Sequence, residues 1–291
     1  KTMAQNNRQR RKSMGQETVN IIERGSYHSA SGHEIRIAPQ VKQSTENTQL
    51  FIEDELELLL QKATRLSADT ARVVPLKVTM ESSLEAAHRI ISEDTTRKVG
   101  VLNFASAKNP GGGFLGGSQA QEESLARSSA LYAGLQTCME GYYQFNRKRS
   151  TLLYSDRMIY TPECTVFRDD NGALLDTPYE IDILTSPAPN KGAMKQNKRG
   201  ETTQVESVFE RRIKLMLALF AHKKCDYPVL GAWGCGVFGN DPKDVARLFY
   251  KVLVEENFAS LFQEVTFAIY EPRKSEGPCT QAFVAQFELE R

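Results

Sequence analysis

The sequence predicts a layered α/β fold, in which helices cover a mixed β-sheet. Segments with helical spacing of apolar residues alternate with short apolar and β-branched segments along most of the 291-residue chain. Two of the strand-like segments run directly into glycine-rich loops, and each loop leads into a helix. Ligands of such folds bind beyond the carboxyl ends of the strands, so these two loops form the candidate binding site.

The composition is that of an ordinary globular protein, with 40% hydrophobic and 25% charged residues. A net charge of +1 produces no overall field that would attract nucleic acid or a membrane surface. Apolar runs are too short to span a membrane, and we expect no secretory signal. The five cysteines are odd in number and form no C-x-x-C pair, which indicates reduced thiols in a cytoplasmic or nuclear protein.

Residues 1–13 form the first predicted segment, and they are polar and basic. Four cationic side chains lie close together, Arg8, Arg10, Arg11 and Lys12. We expect a flexible, solvated arm, with a nuclear signal or a nucleic-acid contact as the alternative. Residues 14–291 are expected to form a single domain, whose N-terminal accessory helical part covers about 14–70.

Helices are predicted from apolar spacing and from capping residues. Gly25 ends the first helix, and Ser82 with Glu85 three residues later forms a capping-box pair at the start of another. The predicted helices cover 16–24, 53–65, 82–92, 121–136, 205–222, 242–255 and 280–288.

Strands are predicted where short β-rich segments lie between turn-forming residues. They cover 33–38, 73–79, 99–104, 158–167, 179–184, 227–232 and 265–269. Residues 186–200, which are rich in Pro, Asn, Gly and Lys, are predicted to be a loop.

The first glycine-rich loop follows the strand 99–104. Five of seven residues are glycine, at Gly111, Gly112, Gly113, Gly116 and Gly117. Without side chains, backbone amides can approach a ligand closely, and phosphate is the usual one. Neither common nucleotide-binding glycine motif is present, so a mobile surface loop is an equal alternative on the glycines alone.

Glu122 and Glu123 follow this loop at the start of a helix, directly after Gln121. Acidic residues in a first helical turn are common because they interact favourably with the helix dipole. Here, however, they lie beside the loop that would hold a ligand. Successive helical residues point about 100° apart, so the two carboxyl groups cannot share one role. Glycoside cleavage needs a carboxylic acid that protonates the leaving oxygen, which makes glycosidase chemistry a candidate function.

The spacing of these residues resembles the signature of poly(ADP-ribose) glycohydrolases. Gly111-Gly112-Gly113 is followed by seven residues and then by Gln121-Glu122-Glu123. The surrounding segments, 103–107 and 123–129, look like the compact microbial branch of that family. Similarity extends from about Tyr27 to the C-terminus and includes the segments 153–156, 185–190 and 231–240.

The resemblance implies a macrodomain-like α/β/α sandwich with a mixed central sheet and an extra N-terminal helical layer. It also implies hydrolysis of ribose–ribose O-glycosidic bonds in poly(ADP-ribose), which releases ADP-ribose. Glu123 would be the general acid and base, and Glu122 would hold ribose hydroxyls. The expected ligand contacts of this first loop are Asn103, Asn109, Gly111, Gly112, Gly113 and Gln121.

The second glycine-rich loop, 231–240, also lies between a strand and a helix. Its glycines fit a diphosphate-binding loop, and the resemblance implies that Phe238 orients the terminal ribose. A small hydrophobic plug is the alternative for Phe238. Trp233 is expected to pack in the core, and Cys235 to be a small buried residue and no thiol nucleophile. The expected ligand contacts are Gly234, Cys235, Gly236, Val237, Phe238 and Gly239.

We expect no metal or cofactor, since the four histidines show no metal-ligand spacing. The expected partners are poly(ADP-ribose), ADP-ribose and ADP-ribosylated proteins, for a monomeric enzyme of the DNA damage response with no direct nucleic-acid readout. Basic residues in 147–149 and 191–199 are expected to be solvated, with contact to polymer pyrophosphates as the alternative. Three other functions stay open: a non-catalytic ADP-ribose reader, a mono-ADP-ribose hydrolase, and a nucleic-acid binder that uses the basic arm.

Overall fold

A computed structural model describes residues 3–197, 200–272 and 276–288 of the chain. The α-helices are α1 Met3–Arg24, α2 Ala38–Glu46, α3 Glu53–Asp69, α4 Ser83–Glu93, α5 Gln121–Ser128, α6 Leu131–Gln136, α7 Phe145–Lys148, α8 Lys191–Gln196, α9 Val205–His222, α10 Pro242–Tyr250 and α11 Pro278–Glu288. The strands are β1 Ser26–His28, β2 Glu34–Arg36, β3 Gln49–Phe51, β4 Leu76–Thr79, β5 Val99–Phe104, β6 Met158–Arg168, β7 Leu174–Ser186, β8 Tyr227–Leu230 and β9 Val265–Ala268.

The chain divides into two compact units. The first comprises residues 1–50, 103–148 and 159–185, and the second comprises 51–102, 149–158 and 186–291. Residues 1–2 of the predicted arm, 198–199 of the predicted basic loop, and 273–275 and 289–291 of the predicted domain lie outside the described residues. The organisation of 14–291 as a single domain stays a prediction.

Strands of the first unit follow the order β3-β6-β7, with β6 and β7 antiparallel. In the second unit the order is β5-β8-β9-β4, and its pairs are parallel. Parallel and antiparallel pairing together confirm the mixed α/β class. Strand β5 is buried at five of its six residues, which explains why its sequence is a continuous apolar run and shows no alternation.

Helix α9 is the most buried helix of the second unit, and the sequence predicts its bounds correctly. Ten of its 18 residues are buried. One of them is Arg212, whose guanidinium pairs with Asp156 at 3.1 Å and donates to the carbonyl oxygens of Leu153 and Pro187 at 2.8 Å each. A charge this deep in the unit is tolerated because every side of its planar donor group meets an acceptor.

The predicted helix 121–136 is wrong as one continuous element, because it breaks at Ser129 and Ala130. Ser129 is extended, at φ −145° and ψ 174°, and pairs with Val166 of β6. The Ala130 amide donates to the Thr165 carbonyl oxygen at 3.0 Å. Pairing with a neighbouring strand therefore interrupts the helix, and local propensity cannot show this.

The predicted flexible arm is also wrong over its described part, because residues 3–13 belong to α1. The segment is rich in Gln, Arg, Lys and Met, all of which favour helix. Tertiary contacts hold helix α1 as a whole. Gly15, Thr18 and Ile21 in its second half are buried, and three arginines of its first half donate to carbonyl oxygens of the first unit. The polar sequence concealed these contacts because the acceptors lie more than one hundred residues away.

Four further differences concern shorter segments. The predicted loop 186–200 contains α8, whose first turn is capped by Asn190 through its Oδ1. The predicted helix 242–255 changes to π-helical geometry over Lys251–Glu255. A π-helical segment, Met139–Gln144, and the hairpin β1–β2 were not predicted as such.

Arg212 provides a test of packing in the second unit. Replacing Arg212 by Met should lower the free energy of unfolding by about 3 kcal/mol, because two buried carbonyl oxygens lose their donor and Asp156 loses the more buried of its two arginine partners. The control is Arg211→Met, since Arg211 also pairs with Asp156 but is 44% exposed and should contribute less than about 1 kcal/mol. Urea denaturation of both variants measures the difference, and equal losses would contradict the assignment.

Candidate active site

The carboxyl end of β5 holds the buried glutamate of the sequence signature. Glu122 is 2% exposed. Its Oε1 accepts from the Ser106 amide at 2.8 Å, and its Oε2 accepts from Asn103 Nδ2 at 2.9 Å. Asn103 Nδ2 also donates to Thr185 Oγ1 at 3.1 Å. The strand end, the residues after it and the end of β7 thus fix this carboxyl group within the first unit.

Burial changes the acid–base behaviour of Glu122. Its pKa is raised from 4.5 to about 8, mainly by loss of solvation and to a smaller extent by the charge of Glu123, while the hydrogen bonds from Ser106 and Asn103 oppose the rise. At neutral pH the neutral form therefore predominates, and this carboxyl group can donate a hydrogen bond as well as accept one.

Glu123, one residue later, is half-buried and lies against the glycine loop. The Gly113 amide donates to its Oε1 at 3.2 Å. A Cβ at Gly112 would lie 2.7 Å from Glu123 Oε1 and 3.2 Å from Glu122 Oε1. Gly112 also has φ +60°, so both its conformation and the two carboxyl groups require glycine.

The rest of the loop packs on the side chain of Phe114. Gly111, at φ +72°, packs so closely on the Phe114 ring that a Cβ would lie 2.7 Å from it. Phe114 begins a short 3₁₀ turn, Phe114–Gly116, and is 1% exposed. The loop is therefore closely packed over Phe114.

Three of the predicted ligand contacts make hydrogen bonds within the first unit. Gln121 Oε1 accepts from the Phe104 amide at 2.8 Å, which ties the helix start to the strand end. Asn109 is exposed, and its Oδ1 accepts from Arg147 at 3.4 Å. Asn103 is fully buried behind Glu122. Direct ligand contact by any of these three residues stays a prediction.

The second glycine loop belongs to the second unit and is fixed by Asn240. Its Nδ2 donates to the Pro189 and Gly234 carbonyl oxygens, both at 2.9 Å. Gly234 and Gly239 have φ of +72° and +66°. Gly236 differs, because a Cβ there would meet nothing within 4 Å. The backbone conformation thus favours glycine at positions 234 and 239, whereas Gly236 has no packing role.

Phe238 lies beside Tyr154, with ring centroids 6.0 Å apart, and remains half-buried. Trp233 is fully buried against Phe209 as expected, at 5.2 Å between centroids. Cys235 is half-buried. Val237 at the loop tip is 89% exposed, so it has no packing role.

Arg127, which no sequence motif singled out, supports the start of helix α5. It is 7% exposed, and its Nη1 donates to the Ser118 carbonyl oxygen at 2.7 Å. Burial lowers its pKa to about 10. Its position four residues after Glu123, on the same helical face, is the signal that could have found it.

Two further findings concern other classes of site. Within the described residues, no helix combines the length and apolar content that crossing a membrane requires. The described residues also contain no cluster of three or more His, Cys, Asp or Glu side chains placed to hold a metal ion. Metal-free activity stays a prediction.

Comparison with known proteins gives a consistent result. The profile of the microbial-type poly(ADP-ribose) glycohydrolase catalytic domain matches residues 15–169. A solved poly(ADP-ribose) glycohydrolase from Thermomonospora curvata, bound to the inhibitor ADP-HPD, is 41% identical with a TM-score of 0.87, over 96% of this chain and 100% of its own.

A second solved structure comes from Deinococcus radiodurans. Its poly(ADP-ribose) glycohydrolase in complex with ADP-ribose is 38% identical with a TM-score of 0.80, over 88% of this chain and 99% of its own. A comparison with curated protein sequences found no match. The macrodomain-like fold expected from the signature is thereby confirmed.

Burial of Glu122 predicts a pH-dependent stability. Because its folded-state pKa of about 8 lies above 4.5, the folded protein keeps a proton that the unfolded chain loses between these values. The free energy of unfolding should therefore fall as pH rises through this window. Glu122→Gln carries no such proton.

Denaturation at pH 5 and pH 9 tests this. We compare the free energy of unfolding of Glu122→Gln with that of the wild type. From pH 5 to pH 9 this difference should shift in favour of Glu122→Gln by more than about 1.4 kcal/mol, the equivalent of one pKa unit. Glu46→Gln, at an exposed carboxylate, is the control and should show no comparable change. A pH-independent difference for Glu122→Gln would show that this carboxyl group is already ionised when buried.

Proposed function

The chain belongs to the microbial-type poly(ADP-ribose) glycohydrolase family, and from this membership we propose that it hydrolyses ribose–ribose bonds in poly(ADP-ribose) at Glu123. The observation that carries the proposal is the pair of adjacent carboxyl groups beside an ordered glycine loop. Glu122 is buried and held by two donors, whereas Glu123 is half-buried and accepts one loop amide. Family membership disfavours a non-catalytic reader or an enzyme restricted to mono-ADP-ribose.

In this proposal Glu123 protonates the oxygen of the leaving ribose as the glycosidic C–O bond breaks. Positive charge develops on the distal ribose, and the adjacent anionic diphosphate stabilises it. Glu123, now a carboxylate, removes a proton from the attacking water, which supplies the hydroxyl of the released ADP-ribose and restores the acid. Such acid–base catalysis contributes about 10²–10⁴-fold to the rate.

Glu122 serves a different purpose in this scheme. Its carboxyl group is fixed by Asn103 and Ser106, so it can orient ribose hydroxyls without moving. The relatives bound to ADP-HPD and to ADP-ribose support a ligand of this class. We assign the diphosphate to the backbone of a glycine loop, whose amides are not screened by side chains.

The cysteines bear on the compartment in which the reaction takes place. All five cysteines are free thiols, which supports an intracellular compartment, cytoplasmic or nuclear. We propose polymer attached to proteins as the substrate of a monomeric enzyme in the DNA damage response.

Replacing Glu123 by Gln tests the proposed acid. Turnover of poly(ADP-ribose) should fall by about 10²–10⁴-fold, because the amide cannot give up a proton. ADP-ribose affinity, measured by calorimetry, should stay within about threefold, since size and hydrogen-bonding reach are nearly kept. Glu122→Gln should also be impaired through ribose positioning. If Glu122→Gln were inactive and Glu123→Gln active, the two roles would have to be exchanged.

The second loop can be tested at two positions. Gly236→Val places a side chain in open space, so the fold should be unaffected, but a bound diphosphate should be displaced and ADP-ribose affinity lost. Phe238→Ala should lower turnover more than affinity, because the terminal ribose becomes less constrained. Gly200→Val, which also meets no neighbour within 4 Å, is the control. Unchanged affinity and turnover in both loop variants would exclude this loop from the site.

A further inference from the structure

Helix α1 packs directly on the turn that closes the first glycine loop. Gly15 of α1 is so close to this turn that a Cβ would lie 2.9 Å from the Phe114 carbonyl oxygen. From the other side, Gly117 is at φ +79°, and a Cβ there would lie 2.3 Å from the Arg8 carbonyl oxygen. Glycine on both surfaces allows helix and loop backbones to touch, and no side chain could be inserted without moving one of them.

Two arginines of α1 bind the same turn through its carbonyl oxygens. Arg8 Nε donates to Gly116 O at 3.0 Å, and Arg11 Nε donates to Gly117 O at 2.8 Å. Donors that carry a charge make the stronger class of hydrogen bond. Arg11 is half-buried, whereas Arg8 is exposed, so Arg11 should contribute more.

The turn held in this way determines where Gly113 lies. The carbonyl oxygen of Gly113 accepts from the amides of Gly116 and Ser118, at 3.0 and 3.1 Å. The amide of the same residue donates to Glu123 Oε1 at 3.2 Å. A continuous series of hydrogen bonds thus runs from Arg8 and Arg11 through the turn to the carboxyl group assigned as the acid.

We propose that Arg8 and Arg11 are positioning residues for Glu123, acting through the Gly113–Gly117 turn. The inference rests on the proposed function, since it assigns a role in the same reaction. A competing explanation is that α1 attracts the anionic polymer through its charge alone. Arg10 distinguishes the two, because it lies on the same helix but donates to Asn171 O, outside the glycine loop.

The test compares R8M/R11M with R10M, R8K/R11K and the wild type in steady-state assays on poly(ADP-ribose). Methionine keeps the apolar stem of each side chain but removes the donors. We expect kcat of R8M/R11M to fall by about tenfold through misplacement of Glu123, with ADP-ribose affinity within about threefold of wild type. R8K/R11K should recover part of this loss, and R10M should be unchanged.

Gly15→Ala provides a second test without any change of charge. Alanine favours the helix, so α1 itself should not weaken, but the added Cβ must displace the loop. A fall in kcat without loss of ADP-ribose affinity would support the proposal. Amide hydrogen exchange at 113–118 should also rise in R8M/R11M and not in R10M.

The outcomes separate the inference from the function on which it rests. If the wild type releases ADP-ribose and both R8M/R11M and Gly15→Ala keep a normal kcat, the positioning role is overturned. An equal loss in R10M, confined to KM and removed by salt, would show polymer attraction instead. If the wild type released no ADP-ribose, the proposed function would fail, and hydrogen exchange alone would decide whether α1 holds the turn.

Discussion

The structure of the site depends on burying one carboxyl group without leaving it unpaired. Glu122 has almost no exposure, so each oxygen must find a donor within the fold. Asn103, at the end of β5, provides one donor, and the backbone of Ser106 provides the other. Both become available only when β5 is buried and the chain after it turns back over the start of α5. The strand end, the turn and the helix start are therefore fixed together.

Two chemically identical neighbours acquire different properties from this arrangement. Helical geometry points Glu122 into the first unit and leaves Glu123 beside the glycine loop. Burial raises the pKa of Glu122 to about 8 and confines it to the orientation that its donors allow. Glu123 remains half-buried and keeps one hydrogen bond to a loop amide. The difference in environment fits the different roles proposed for the two residues, ribose positioning for Glu122 and proton transfer for Glu123.

The N-terminal helix shows how a polar segment can be structural. Few of its side chains are buried, yet Arg8 and Arg11 donate to the carbonyl oxygens of Gly116 and Gly117 in the tight glycine turn. A loop built from glycine has conformational freedom to lose, and external contacts reduce it. This is the physical basis of the proposal that a helix outside the signature positions a carboxyl group within it.

The sequence by itself determined the elements whose signals are local. Apolar spacing identified α9 with its bounds, the Ser82–Glu85 pair marked the start of α4, and the continuous apolar run marked β5. The composite signature identified the family and the two candidate carboxyl groups. Only the tertiary structure decided the helix break at Ser129, the helical state of residues 3–13, and the role of Asn103 as a partner of Glu122. In each case the deciding contact joins residues that are not neighbours in the chain. At Ser129 hydrogen bonding supplied by the fold outweighs the local helical preference, whereas in residues 3–13 the tertiary contacts act together with that preference.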